Sequence, residues 1–270
     1  MNRSALLRCV FLIGALFPII EMNAQFSLGA KGGVSIPNLT NGGSENNPLN
    51  TGYSSRVGAD FALFGEYSFS SLFSLEAGLE YSSQGGKKNG NQALPVPSQL
   101  ASMFPPGEAP PYLWADFNQE AKLNYLMIPV LAKFTFYPGG PWQLYVDAGP
   151  FVGFLVSAKT VASGNGNVYA DQGETQPLLP GPISFNQTED IKDSLRSTNE
   201  GVEGNVGVAY ILGQGRIFLE AGGNYGFANI QKNADDGQNR TGAATVRIGY
   251  AYSFGSKPKS RHAVQSPKTP

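Results

Sequence analysis

The chain has 270 residues, enough for one barrel or sandwich domain. Only 14% of them are charged, whereas a soluble domain has about 25%, and a surface that faces lipid would explain the deficit. The net charge of -1 gives no basis for nucleic-acid binding. The single cysteine, Cys9, lies in the N-terminal apolar run, so the later residues offer neither a disulfide nor a thiol nucleophile.

Residues 1–24 have the features of a secretory signal peptide. Arg3 and Arg8 form the basic start, and the apolar run over 9–20 is too short to span a bilayer as a helix. We predict cleavage after Ala24. Cys9 stands at the start of the apolar run rather than at its end, which disfavours a lipoprotein.

The remaining chain contains no run of 18 apolar residues, so a membrane location would require a closed barrel. Apolar and polar residues alternate with the period of a β-strand in eight segments. These segments cover residues 26–36, 55–69, 73–83, 122–137, 143–158, 201–213, 216–228 and 243–254.

The two faces of these predicted strands differ in kind. One face is uniformly apolar, while the other carries glycine, serine, alanine and asparagine with scattered charges. Small residues suit the crowded lumen of an eight-stranded barrel, so we expect the apolar face to meet lipid. The alternative is a soluble eight-stranded barrel, in which the apolar face would point inward.

The connections alternate between long and short, as in outer-membrane barrels with extracellular loops and periplasmic turns. The long connections are 37–54, 84–121, 159–200 and 229–242, and the short ones are 70–72, 138–142 and 213–216. We therefore predict an all-β fold: an antiparallel up-and-down transmembrane barrel over residues 25–256, in a Gram-negative outer membrane. Residues 257–270 are basic and predict a disordered periplasmic tail.

Two local features lie near the short turns. Aromatic residues gather around them, for example Tyr67, Phe73 and Trp142, as in the aromatic girdle of a membrane barrel. Pro129 and Pro150 fall inside predicted strands, where proline cannot donate a ladder hydrogen bond. We expect a bulge or a missing ladder bond at each proline.

Charges on the polar face predict a lumen network. Its members are Arg56, Asp60, Glu66, Glu76, Glu80, Lys133, Asp147, Glu203, Glu220 and Arg247, and the alternation also puts Lys31 on this face. Glu66 and Glu76 flank the 70–72 turn symmetrically and should oppose each other, so one is protonated or neutralised by a cation such as Arg56 or Arg247. Lys133 and Asp147 should pair in the same way. The network either fills the lumen or forms a proton or ion path.

The long loops hold the other candidate residues. Phe104, Tyr112 and Trp114 lie in the proline-rich loop 84–121 and could either form a contact surface or fold back over the barrel mouth. Within loop 159–200, residues 188–195 predict a short helix with Thr188 as its N-cap.

Nothing in the sequence indicates a catalytic, cofactor-binding or metal site. The single histidine, His262, lies in the predicted tail, which makes a Ser-His-acid arrangement and a zinc site improbable. We therefore predict a chain that is not an enzyme and that carries no cofactor.

Four segments resemble those of PorT-like outer-membrane β-barrel proteins. Residues 124–133 are similar to the Tyr-Leu-x-Ile-Pro-Leu strand of that family, and residues 147–154 resemble the Gly-Pro-Tyr strand that follows it. The opening 26–33 and the closing 247–254 also fit, although Met127 stands where many members carry a carboxylate. The resemblance implies an outer-membrane location and little about activity.

We predict a structural or binding platform that presents extracellular loops, with a narrow channel or a transport or secretion accessory as the alternative. The expected partners are outer-membrane lipid and an extracellular or envelope molecule of unknown identity. The aromatic ending at residues 250–254 resembles the signal read by the barrel assembly machinery, which we expect to act during biogenesis.

Overall fold

The computed structural model describes residues 25–41, 47–233 and 237–254, so the predicted signal peptide and tail lie outside it. These residues form twelve strands, one short helix and one 3-10 turn. Eight strands are long: β1 (Gln25–Asn41), β2 (Gly58–Ser68), β3 (Phe73–Leu94), β4 (Leu113–Gly139), β5 (Trp142–Ser163), β10 (Thr198–Leu212), β11 (Gly215–Gly226) and β12 (Asn239–Phe254). The short elements are α1 (Ser98–Ala101), β6 (Asn165–Gly166), β7 (Val168–Tyr169), β8 (Ile183–Ser184), β9 (Gln187–Asp190) and the 3-10 turn Lys192–Ser194.

The eight long strands form a ring of antiparallel neighbours. Pairing runs from β4 through β3, β2, β1, β12, β11 and β10 to β5. The pairing of β4 with β5 completes the ring. This arrangement confirms the predicted up-and-down barrel of eight strands. We call the end with the short connections the turn end and the opposite end the loop end.

The apolar face of the strands points outward. On β12, Ile248 is 62% exposed, whereas its neighbour Arg247 is 1% exposed. On β2, Leu63 is 67% exposed and Phe64 only 4%. A soluble barrel would reverse these orientations, because it would put its apolar face inside. The outward apolar face therefore identifies a surface built for lipid.

Aromatic side chains cluster on the outer surface at the turn end. Phe69 packs against Tyr67 and Phe73, with ring centroids 4.9 and 5.6 Å apart. On the opposite side of the ring, Trp142 packs edge-on against Tyr210 at 5.0 Å. These contacts follow the turns, where a membrane barrel has its aromatic girdle.

The strands at the loop end are longer than the sequence predicts. Residues 84–121 do not form one long loop, because β3 and β4 stay paired as far as Leu94 and Leu113 and leave only 95–112 as the connection. Three strands continue on the loop-end side of the barrel: β3 after Ser83, β4 before Asn124 and β5 after Ser157. We call these portions, together with β7 and β9 beside them, the arm.

The predicted helix over 188–195 is wrong. β9 and the 3-10 turn occupy these residues, and Thr188 pairs with Val161.

The two strand prolines interrupt the ladder without shifting it. Pairing of β4 with β5 is missing between Pro129–Phe151 and Ala132–Ala148, yet the register is the same on both sides. A bulge does occur in this strand pair, but farther along, between Asn124 and Tyr125. Missing ladder pairs, rather than a bulge, therefore accompany the prolines.

Three aromatic rings inside the barrel pack directly against glycines of neighbouring strands. A Cβ atom on Gly207 would lie 2.2 Å from the ring of Tyr145, and one on Gly29 would lie 2.3 Å from the ring of Phe64. Phe218 packs in the same way against Gly249. The glycines on the inner face thus make room for rings that fill the lumen, as expected for a small barrel.

Candidate functional site

The candidate site is the lumen, where strand alternation places the charged residues. Glu76 and Glu80 on β3 are 3% and 0% exposed, while Leu75 and Leu79 next to them face outward. The same alternation buries the predicted acids of β2, β5, β10 and β11. Their charges form two adjacent clusters that differ in composition.

The first cluster, which we call the balanced cluster, lies near the turn end. Glu66 and Glu76 oppose each other in the β2–β3 register. The ammonium group of Lys133 lies between them, donating to Glu66 at 2.9 Å and also to Glu76. The remaining members are Lys31, which donates to Glu76 at 2.9 Å, Arg216, which donates to Glu66, and Asp147, 3.9 Å from Lys133.

The second cluster, which we call the acid-rich cluster, surrounds one guanidinium group. Arg247 lies 2.8 Å from Glu80, 2.7 Å from Glu203, 2.8 Å from Glu220 and 3.4 Å from Asp60. Arg247 is 1% exposed, so these interactions take place away from water. Tyr145 joins the two clusters, since its hydroxyl group donates to Glu220 at 2.9 Å and Lys133 lies 4.7 Å above its ring.

Two expectations about these charges need correction. Arg56 does not join the lumen clusters, because its guanidinium group binds Glu120 at 2.7 Å and the carbonyl of Gln84 at the loop end. The cations that neutralise Glu66 and Glu76 are Lys133, Lys31 and Arg216, not Arg56 or Arg247. The sequence prediction omits Arg216, which begins the predicted segment 216–228. Its neighbour Ile217 is exposed, and strand alternation therefore places Arg216 on the inner face.

A small polar cavity opens at the turn end. Its volume is about 100 Å³, and Glu66 and Arg216 contribute to its lining. Serine and glutamine side chains, including Ser27, Ser68 and Gln214, form much of the remaining wall. The balanced cluster is therefore next to an aqueous entry.

The loop end is closed by apolar side chains, which we call the cap. Its buried core includes Leu123, Tyr125 and Met127 of β4 and Phe151 and Leu155 of β5. Leu39, Leu195 and Ile230 add to it from three other segments. Because these side chains are almost fully buried, the cap separates the charge clusters from the loop-end solvent.

A buried lysine lies beside the cap, outside the lipid-facing part of the strands. Lys88 donates to the carbonyls of Leu49 and Pro48, at 2.7 and 3.2 Å, and lies 4.6 Å above the ring of Tyr53. Burial lowers the pKa of Lys88 to about 8 and raises the pKa of Tyr53 to about 12. Lys88 thus ties the segment after residue 46 to β3.

The three candidate contact residues lie at the end of the arm. Phe104 and Tyr112 are half-buried in the 95–112 connection, and Trp114 is half-buried in β4, paired with Ala93 and Tyr169. The exposed apolar residue of this connection is Met103, at 59%. The strand residues Ala115 and Phe117 pack inward with Ala162 in a small core of their own. The predicted loop therefore contributes both a packed strand pair and an exposed tip.

The described ranges, 25–41, 47–233 and 237–254, also bear on helical membrane spans and on metal sites. Within them, no helix is long and apolar enough to cross a membrane. The same ranges contain no group of three or more histidine, cysteine or acidic side chains placed to hold a metal ion. His262 falls outside these ranges.

The closed ring, the outward apolar face and the aromatic girdle define a transmembrane β-barrel. Residues 21–232 match the family described as outer membrane protein beta-barrel domain, and the chain belongs to that family. The family places the protein in the outer membrane, in contact with its lipid.

Solved structures of small outer-membrane barrels are similar to this chain at low identity. Neisserial surface protein A is 14% identical, with 86% of this chain and 99% of that one covered and a TM-score of 0.38. OprG from Pseudomonas aeruginosa is also 14% identical, over 86% and 97% of the two chains, with a TM-score of 0.38. Ail of Yersinia pestis is 13% identical, over 85% and 99%, with a TM-score of 0.34. A search of curated proteins gives no match.

Proposed function

We propose that this chain is a non-enzymatic outer-membrane platform, whose barrel holds the arm outside the cell for a binding partner. One observation carries the proposal: the lumen is filled by interlocked charges and closed by the cap, while the strands continue into a paired arm. A conducting barrel needs an open lumen, whereas a platform needs a rigid one. The buried charges occupy the lumen and rigidify the wall.

The finer parts of the proposal follow from the sequence. Residues 1–24 act as a cleaved signal peptide, and the barrel assembly machinery inserts the chain. The resemblance of residues 124–133 and 147–154 to PorT-like proteins supports membership of that group within the wider family. The lumen acids act structurally, because most of them already engage cations or amide groups of the barrel.

The polar cavity at the turn end suggests a second candidate function, a narrow channel or transport accessory. Conductance in planar bilayers distinguishes this candidate from the platform. We expect the full mature chain to give only the leak current of the bare bilayer, with an open porin as the positive control. Discrete current steps from the purified barrel would contradict the platform.

Replacing part of the arm tests partner binding. The hairpin closes between Leu94 and Leu113, so residues 95–112 can be exchanged for a short Gly-Ser turn while the pairing is kept. We expect the barrel to assemble normally and the proteins or glycans cross-linked to it on intact cells to be lost. The same exchange at 170–176, which keeps the pairing of Tyr169 with Pro177 beside β7, is the matched control and should retain them. If neither exchange alters the set of cross-linked proteins or glycans, the arm tip is not the binding surface.

A further inference from the structure

The acid-rich cluster carries more negative charge than its cations can neutralise. Four carboxylates, those of Asp60, Glu80, Glu203 and Glu220, share the guanidinium group of Arg247. Among the described residues, the other cation within 4.0 Å of these acids is Lys31, at 3.1 Å from Glu220. Lys31 is itself shared, because it also binds Glu76 of the balanced cluster.

Burial makes this surplus costly. Glu80 is fully buried, and Asp60, Glu203 and Glu220 are between 1% and 3% exposed. An unpaired carboxylate at such a position loses its hydration without regaining it from a partner, and several carboxylates in one site cannot all stay ionised. Moreover, Oε1 of Glu80 and Oε2 of Glu203 are buried without a hydrogen-bond partner. No hydrogen bond within the described residues compensates the negative charge on these oxygens; Oδ2 of Asp147 in the balanced cluster also lacks one, but it lies 3.9 Å from the ammonium group of Lys133.

The balanced cluster provides a comparison inside the same lumen. Its three carboxylates, Glu66, Glu76 and Asp147, face two cations of their own, Lys133 and Arg216, and the shared Lys31. Burial is similar in the two clusters, with Glu66 and Glu76 each 3% exposed. The difference between the clusters is therefore their charge and not their exposure.

All the strands around Glu80 contribute groups to its surroundings. These groups are Lys31 of β1, Asp60 of β2, Ser82 of β3, Lys133 of β4, Tyr145 and Asp147 of β5, Glu203 and Asn205 of β10, Glu220 of β11 and Arg247 of β12. The cations in this set besides Arg247 are already bound to acids of the balanced cluster. The carboxylates also converge on a guanidinium group, which would repel a metal cation placed among them.

We propose that the acid-rich cluster is a proton-binding site, which as a whole holds at least two protons at neutral pH. One guanidinium group neutralises one carboxylate, and Lys31 takes part in neutralising Glu220. Protonation neutralises the negative charge that these two cations leave uncompensated. The cap shields the site from the loop end, so these protons exchange with the turn end through the balanced cluster and the polar cavity.

Infrared spectroscopy of the full mature chain in lipid vesicles tests the proposal without any substitution. A protonated carboxyl group has a carbonyl stretch well separated from that of a carboxylate. We expect this band at neutral pH and its loss during an alkaline titration. An absent band at neutral pH would overturn the proposal. A bound cation would then be the neutralising group if the barrel is more stable in sodium than in a bulky organic cation.

A matched pair of variants assigns the band. Glu80→Gln mimics a protonated glutamate in the acid-rich cluster, so we expect a weaker band and an unchanged urea midpoint of unfolding at neutral pH. Glu76→Gln removes a carboxylate of the balanced cluster that neutralises Lys31 and Lys133, so the band should persist while the urea midpoint falls. If Glu76→Gln weakens the band and Glu80→Gln lowers the urea midpoint, the protons lie in the balanced cluster and the proposal fails.

The pH dependence of stability gives an independent readout. The unfolded chain holds fewer protons at neutral pH than the proposed folded state, so stability should fall as the pH rises above neutral. We expect the urea midpoint of the wild-type barrel to decrease over this range and that of Glu80→Gln to decrease less. Equal slopes for the two proteins would overturn the assignment to Glu80.

Discussion

Two clusters of buried charge lie next to each other in the lumen and differ in how their charges are compensated. The balanced cluster sets three acids against Lys133, Arg216 and Lys31, whereas the acid-rich cluster sets four acids against Arg247 and the same Lys31. Both are nearly free of solvent, so the contrast separates the effect of charge balance from the effect of burial. In the proposed arrangement, ion pairs rigidify one layer of the lumen and the next layer stores protons.

Breaking the balanced cluster should have the largest effect. Lys133→Met leaves Glu66 and Glu76 opposed with only their outer partners, and loss of one member of a buried ion pair costs about 3–5 kcal/mol. Urea unfolding in lipid vesicles measures the loss. Lys159→Met, on the exposed surface of the arm, is the control and should unfold like the wild-type protein. If Lys133→Met is as stable as the wild-type protein, this lysine does not neutralise the two glutamates.

Removing the contact between the clusters should have an intermediate effect. Tyr145→Phe deletes the hydroxyl group that donates to Glu220 and keeps the ring over which Lys133 lies. A hydrogen bond to a charged group contributes about 1.5–3 kcal/mol, so we expect a loss in this range if Glu220 is ionised. A double-mutant cycle with Glu220→Gln measures the coupling. Coupling near zero would show that the hydroxyl group of Tyr145 does not stabilise the barrel through Glu220.

An ion pair at the barrel rim should contribute least. Glu120 binds Arg56 at 2.7 Å and Lys122 at 3.1 Å, but its side chain is 31% exposed. Burial alone would raise the pKa of Glu120, yet the hydrogen bonds from Arg56 and Lys122 outweigh it and lower this pKa. The contribution of the pair is therefore present near neutral pH and is lost as the pH falls through the lowered pKa.

The corresponding variant is Glu120→Gln, which should lower the free energy of unfolding by at most about 1 kcal/mol. Added salt should shrink the difference from the wild-type protein, because exposed charges are screened. A larger loss, or one that salt leaves unchanged, would show that the rim pair behaves like the buried clusters.

The sequence predicts the barrel well because alternation persists wherever a strand faces lipid. All eight segments appear as strands, and the hairpin symmetry around 70–72 correctly opposes Glu66 to Glu76. Above the lipid both strand faces carry polar residues, as at Lys87, Lys88 and Asn89, and the periodic signal disappears. For this reason the arm was predicted as a loop.

The partners of the lumen acids are harder to predict, for a physical reason. Hairpin symmetry identifies neighbours across one turn, but Lys31 and Arg216 reach Glu76 and Glu66 from β1 and β11. Contacts across the lumen depend on the stagger of the whole ring and on the reach of long side chains. Neither of these can be read from one segment of sequence.

The arm has a consequence for the thermodynamics of recognition. From Asn124 to Leu113, β4 continues for a distance on the order of 35 Å at about 3.3 Å per residue, paired along that length with β3. A molecule that docks at its tip meets backbone that is already ordered by hydrogen bonds, so little conformational entropy is lost at the moment of contact. Affinity at such a tip can come from a few side chains, and these can change during evolution while the paired strands beneath them stay the same.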